Sequence, residues 1–551
     1  MQIESYFSKK IKSNINKLKL LLIATLIGST SLFAQGDFEG EIKWGEPMKL
    51  KKKESAPIPI GSTTTSFYSR KYEKKKVFVQ KYSLKSLKLE KQSELDLTYK
   101  DEDLSIVNDF VFANKVVFIT TYIDKKAEKQ YYFIHELEND SKLGKPKELA
   151  VTEWVKIGLM ASKRKLAEVE ESGSFSFEYI VSEDYQTLMV SYKNKGDYET
   201  ILFDKNLEEV GRTSMEMPFE NFTRTSARLT PSGRYYLVGY EFSKGESSGI
   251  IKRETVVRGD YFILIHDAVT GEMETVELDI NKDISALAVK VLPDESTVAY
   301  GMYSNEGAKG ITGAFFQKMD KKYQVEFTTL EEFEEDFITQ FWSDRQKKKA
   351  EKKKKKQNPK KQEEPSLYSY IMHDLAIKDN GDMVLLGEQY YMYVTSHTYT
   401  DANGNSHTTY TYHYIYNDII AVNCTQNGEV TWKEKVMKRQ HSTNDGGYFS
   451  SFFTMVQGNN VFLMYNDKEG NMDDAEEATT VKQKRELKKD NVAALISFSD
   501  EGETTRKTLF DFEGDLSRNL VPKRCMLMEK NEIFLFAEMG KRMKVLGLLT
   551  M

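Results

Sequence analysis

The chain has 551 residues, 30% of them charged and 12% aromatic, with a formal net charge of −5. A chain this long can bury a large core unaided, and its 2 cysteines exclude a disulfide scaffold. Mild acidity argues against nucleic acid as a general partner.

Residues 1–34 have the layout of an export signal. Lys9, Lys10, Lys12, Lys17 and Lys19 precede an apolar stretch at 20–28, and Leu32-Phe33-Ala34 offers a cleavage site before Gln35. The apolar run is too short for a transmembrane helix, and no cysteine follows it to carry a lipid. Removing this segment takes away five lysines and one glutamate, leaving 74 basic and 83 acidic residues and a net charge of −9. The expectation is an exported bacterial protein, periplasmic, extracellular or associated with the outer membrane, with one mature domain at 35–551.

Residues 49–62 carry two prolines and read as a linker. After them a repeat dominates. Its clearest copy is 222–280, which reads as four short strands separated by tight turns. Tyr235 to Tyr240 (YYLVGY) and Tyr261 to Ile265 (YFILI) are aromatic and β-branched, as buried strands require. Further copies start near 104, 175, 284, 371, 449 and 521, and a degenerate one covers 67–97. The turn between first and second strands falls at Asn114, Asp184, Ser232, Asp294, Asn380, Gly458 and Asn531, all turn-forming types. The last copy stops one strand short, and 38–44 (FEGEIKW) is the candidate that completes it. Four antiparallel strands in about 55 residues match one propeller blade. The expected fold is all-β: a β-propeller of seven or eight four-stranded blades, with one inserted helix and one long protruding β-hairpin. The fragments LTPSGRYYLVGY (229–240) and VLPDESTVAY (291–300) resemble the Pro-Asp-Gly repeats of TolB-like and WD40-like propellers. That resemblance implies the fold and carries no functional residues.

Three segments interrupt the pattern. Residues 153–173 have roughly helical apolar spacing and read as a short helix or an inter-blade loop. Residues 328–365 begin with Thr329 and Glu332 at capping-box spacing. Leu330, Phe333, Phe337, Ile338 and Phe341 then recur at helical spacing. Acids at the start and lysines at the end complement the helix dipole, which predicts a helix on the propeller rim with a lysine-rich tail. The stretch from Lys347 to Lys361 is a candidate contact for an anionic membrane or acidic partner. Residues 390–416 (YYMYVTSHTYTDANGNSHTTYTYHYIY) sit between the second and third strands of their blade and read as a projecting two-stranded ribbon. Residues 466–490 occupy the same slot in the next blade and read as a charged, mobile loop.

The candidate partner-binding residues are Tyr391, Tyr393, His397, Tyr399, His407, Tyr410, Tyr412 and His413, because tyrosine gives large contact area at low entropic cost. A turn centred on Ala402 would set His397 opposite His407, within reach of one metal with Asp401. A turn at Asn403-Gly404 would set His397 opposite Tyr410 instead. Cys424 and Cys525 read as buried free thiols. No H-E-x-x-H or Walker A motif is present, and no cofactor is implied. The expected function is non-catalytic binding of a protein or glycan, the alternative being a glycan- or peptide-processing enzyme with its site in the axial pocket.

Overall fold

The structure is a computed structural model. It describes residues 31–32, 40–49, 55, 57–153, 177–194, 197–246, 254–278, 280–306, 308–342, 345, 347–348, 351–352, 365–402, 404–472, 481–483, 491–511, 519–529, 531–539 and 543–551. The bulk of the predicted export signal and the segment 154–173 lie outside these residues.

Strands follow one another antiparallel through short turns, so each module is a meander of neighbours. Among the described residues there are eight such sheets, at 58–94, 105–153, 178–215, 222–276, 283–332, 370–436, 453–511 and 519–550. Alternation along each strand then sends successive side chains to opposite faces. In the strand Lys115–Asp124, Val117 and Ile119 pack against the third sheet, while Val116 and Phe118 pack against the first. Both faces of every sheet are apolar, so every sheet needs two neighbours.

Each pair of consecutive sheets shares one such core. A further core returns from the eighth sheet to the first: Phe534, Phe536 and Leu546 meet Phe67 and Tyr82, with the Phe67 and Phe534 rings stacked 4.1 Å apart. The array is therefore a closed ring, an eight-bladed β-propeller. First strands of neighbouring blades approach each other, which makes them innermost. The ring closes as expected from sequence. Glu41–Trp44 pairs with Met543–Thr550 as the fourth strand of blade 8, Ile42 opposite Leu549 and Trp44 opposite Gly547.

The turn residues behave as their types require. Asn114, Gly458 and Asn531 adopt left-handed backbone themselves, and in other blades the next residue does, as at Tyr185, Gly233, Glu295 and Gly381. Cys424 and Cys525 are buried free thiols in two different inter-blade cores. Burial pushes each thiol up to about 12, so both are inert at neutral pH.

Two expectations are corrected. Ile58–Ser62 is no linker but the first strand of blade 1, paired with Ser66–Glu73. Pro59 is tolerated because an innermost strand has one free edge and the register shifts between Pro59 and Gly61. Val325–Glu332 is the fourth strand of blade 5, with Thr329 opposite Phe316, so Thr329 caps no helix. The free edge of Gly313–Met319 offers a pairing that overrides helical spacing. Helix begins only after this strand, at Glu335–Thr339, and the described residues 345, 347–348 and 351–352 are helical as well. Its apolar side docks as expected: Phe333 and Ile338 are buried between blades 5 and 6, with Phe337 packed on them. Among the described residues no helix is long and apolar enough to cross a membrane.

Strand alternation also sorts the connections. Second-to-third turns and blade-to-blade links must emerge on one face of the ring, and first-to-second and third-to-fourth turns on the other. First-to-second turns are five residues or fewer in every blade. The long connections, after 153, 332, 436 and 468 and at the tip of the ribbon, all join strands on the first face. We call it the elaborated face.

Ile42 is 1% exposed in the core shared by blades 7 and 8. Ile42→Ala should therefore cost about 2–4 kcal/mol in denaturant unfolding, whereas the half-exposed Ile371→Ala should cost less than about 0.5 kcal/mol.

Candidate functional site

The ribbon is one continuous pairing. Met383–Thr400 and Ser406–Cys424 run from Met383 opposite Cys424 to Thr400 opposite Ser406, with a register shift between Glu388 and Tyr390. The tip is a five-residue turn closed by Asp401: its carboxylate accepts the Asn405 amide at 2.9 Å, and its carbonyl accepts the Gly404 amide at 3.0 Å. This fixes a register that is neither of the two considered from sequence. His397 lies opposite Thr409, Tyr399 opposite His407 and Tyr393 opposite His413. The opposed His397–His407 pair does not form, and His407 Nε2 instead hydrogen-bonds Asp401 Oδ2 at 2.8 Å.

Alternation divides the eight candidate residues. Tyr391, Tyr393, His397, Tyr399, His407 and His413 share one ribbon face, and Tyr410 and Tyr412 share the other with Met392 and Val394. Residues 392–400 are exposed throughout, and Tyr410 is 61% exposed. Rings on the first face stack in pairs, Tyr393 on His413 at 4.4 Å and Tyr399 on His407 at 5.4 Å.

The two long edges of the ribbon are covered to different extents. Gln440–Thr443 pairs with the stretch from His413 to Tyr416, and Val481–Gln483 adds outside it in parallel. Part of the loop expected to be mobile in blade 7 thus extends the blade 6 sheet. His441, not singled out from sequence, places Nε2 3.0 Å from His413 Nδ1. On the opposite edge, Tyr370–Met372 pairs with Met383–Thr400 only as far as Gln389. Beyond it, among the described residues, no strand covers 391–400.

A buried charge cluster anchors the foot of the ribbon. Glu388 and Lys438 are fully buried and paired, Lys438 Nζ lying 2.7 Å from Glu388 Oε1. Ser451 Oγ donates to Glu388 Oε2 at 2.7 Å, and His373 Nε2 lies 3.0 Å from it. Lys438 also donates to Gln440 Oε1 at 3.1 Å, and the Gln440 amide reaches the Asn466 carbonyl at 2.9 Å. One cluster therefore ties the ribbon, the edge strand and blade 7 together. Burial would raise the Glu388 pKa, but Lys438 and His373 outweigh it and hold the carboxyl at about 2. Burial also lowers the Lys438 pKa, with Glu388 offsetting part of that effect.

The channel wall between blades 4, 5 and 6 holds a cavity of about 390 Å³, lined in part by Arg228, Tyr300, His373 and Asp374. Its charges are matched. Asp374 accepts from Arg228 at 2.7 Å and from Lys290 at 3.2 Å, and Lys290 also reaches Glu183 at 2.7 Å. Although Asp374 is reachable by solvent, protein crowds it. That crowding raises its pKa, but Arg228 and Lys290 prevail and leave it below the usual carboxylate value.

No protein-family model matches the chain. No curated protein matches it in sequence either. Among solved structures it is similar to the Dos1 propeller, at 8% identity and TM-score 0.41 over 92% of this chain and 95% of that one. It is also similar to YCF48 bound to D1 peptide, at 9% identity and TM-score 0.32 over 83% and 97%. A catalytically inactive virginiamycin B lyase from Staphylococcus aureus, with quinupristin, aligns at 9% identity and TM-score 0.30 over 82% and 100%.

An acid whose pKa is lower folded than unfolded adds stability above its unfolded pKa, and that stability disappears as pH falls to the folded value. For Glu388 the window runs from the ordinary 4.5 down to about 2. Acid titration of unfolding should show a loss of stability across this window that Glu388→Gln flattens. At neutral pH, Glu388→Ala should cost about 3–5 kcal/mol, because it strands the buried Lys438 charge.

Proposed function

We propose that this is an exported, non-catalytic binding propeller that captures an extended segment of a partner protein along the ribbon edge at 391–400. The single observation that carries the reading is that edge. It runs ten residues, YMYVTSHTYT, with no Lys, Arg, Asp or Glu, in a chain that is 30% charged. Uncovered strand edges are normally protected by charge, proline or a covering element; none of these protects 391–400 among the described residues. An extended peptide added there would form main-chain hydrogen bonds, and alternate side chains would meet the two aromatic ribbon faces. The same sheet already accepts a strand by addition on its other side, at Val481–Gln483. Anchoring by Glu388 and Lys438 supports the reading, because a pre-organised edge pays little ordering entropy on binding.

The axial-enzyme alternative would rest on His373 and Asp374. Asp374 is clamped between two cations and its pKa is lowered, so it is a poor general acid at neutral pH. Deleting 395–409 should leave the unfolding midpoint unchanged and abolish capture of partner in a pull-down. Val394→Pro, which disturbs the edge alone, should weaken capture at least tenfold. Capture that survives the deletion removes the ribbon as the site. Capture that survives the proline but fails in Tyr393→Ser with Tyr399→Ser points to stacking on a glycan instead.

A further inference from the structure

A cavity of about 510 Å³ opens on the elaborated face at the inner ends of blades 1 and 8, beside the foot of the ribbon. Three distant segments build it: Ile58 to Ile60, Asp445 to Tyr448, and Val521 to Met526. Its floor is apolar, from Ile58, Pro59, Ile60 and Met526. Its polar side carries two adjacent cations, Lys523 and Arg524.

Neither cation has a carboxylate within ion-pair distance among the described residues. Lys523 Nζ donates only to neutral oxygens, the Tyr416 hydroxyl at 2.9 Å and the Gly447 carbonyl at 3.2 Å. Arg524 lies over the rings of Tyr448 and Phe536, at 5.5 and 5.8 Å. Such stacking holds a guanidinium in place while leaving its N–H edge free for a planar partner. Asp445 is the one acid in the lining, and its Oδ1 accepts the Gly447 amide at 2.9 Å. The nearby Glu538 is taken by Lys544 and by the Tyr448 hydroxyl at 2.9 Å. Several enclosed cations elsewhere are matched with acids, as in Lys438 with Glu388, Lys378 with Asp500 and Arg439 with Asp418, while the buried Lys435 donates to the Phe337 and Ile338 carbonyls.

The walls are also held in place. Gly447 has a φ of +68°, and any Cβ there would collide with the Tyr416 ring, so the loop backbone seats directly on the aromatic that Lys523 bonds. The Tyr390 and Tyr416 rings pack at 4.7 Å and carry this contact into the ribbon.

We propose that this cavity is a binding site for a carboxylate on an apolar body. Arg524 would receive the carboxylate in a bidentate fork, Lys523 would add a third charge-assisted hydrogen bond, and the aliphatic floor would take the apolar group. The site is separate from the 391–400 edge and does not depend on the ribbon capturing anything. Its ligand chemistry has two sources: the free C-terminus of a polypeptide ending in an apolar residue, and a free organic acid of similar size.

The test is calorimetric titration of the full chain with three probes: acetyl-Gly-Val-Leu with a free carboxylate, the same peptide as its C-terminal amide, and 4-methylpentanoate. Saturable binding of the acid peptide is expected, with the amide at least tenfold weaker. Lys523→Met and Arg524→Gln should each weaken binding of the acid by about tenfold or more. Comparable binding of 4-methylpentanoate assigns the site to a small acid, and binding of the peptide alone assigns it to a chain end. Where Arg524→Gln lowers the unfolding midpoint, Arg524→Lys replaces it, keeping the charge while losing the fork. Equal binding of acid and amide, unchanged affinity in folded variants, or no saturable binding of either carboxylate overturns the proposal. The 395–409 deletion should keep this binding, which separates a failure here from a failure of the ribbon.

Discussion

A four-stranded sheet with apolar side chains on both faces has no stable free state and no natural end. That constraint governs this molecule. Val116 and Phe118 face one neighbour while Val117 and Ile119 face the other, and the same alternation recurs around the chain. Stacking alone would leave two raw apolar faces at the termini of the array. The ring removes them, and Phe67 on Phe534 is where the removal is completed. Almost all large apolar side chains are consumed in this way. Function is left to the channel and to the connections.

Those two places differ in how their charges are settled. In the channel, acids and bases cancel one another, as Glu183, Lys290, Asp374 and Arg228 do across four blades. That arrangement braces the inner strands and leaves little unspent electrostatic potential. On the elaborated face the settlement is uneven. Glu388 and Lys438 are matched and buried beneath the ribbon, while Lys523 and Arg524 nearby contact neutral oxygens and aromatic rings, with no carboxylate at ion-pair distance among the described residues. The buried pair makes the ribbon rigid at its root; the unmatched pair gives the adjacent cavity a positive side.

Much of the architecture was legible in the sequence because it depends on local rules repeated many times. Turn-forming residues at Asn114, Gly458 and Asn531 mark reversals that the backbone confirms. The missing last strand predicted a donor near 38–44, and Ile42 supplies it. The ribbon was legible as an insertion, but its register was not, because a side-chain-closed turn at Asp401 sets it and several turns fit the same residues. The helical pattern at 328–332 was real as spacing, yet an open sheet edge outbid it. The cavity beside the ribbon was invisible for a different reason. Ile58 is hundreds of residues from Asp445 and Lys523, and only the closure of the circle brings them together.

Blade 8 is a composite of distant stretches: its outer strand is 41–44 and its inner three lie within 519–550. During synthesis at about 5–20 residues per second, the early strand waits roughly half a minute or more for its template to leave the ribosome. Throughout that interval the nascent chain holds two unfinished apolar surfaces, one at each end of a growing arc. Both surfaces persist until residues near 550 meet those near 42, so whatever shields them must act until the ring shuts.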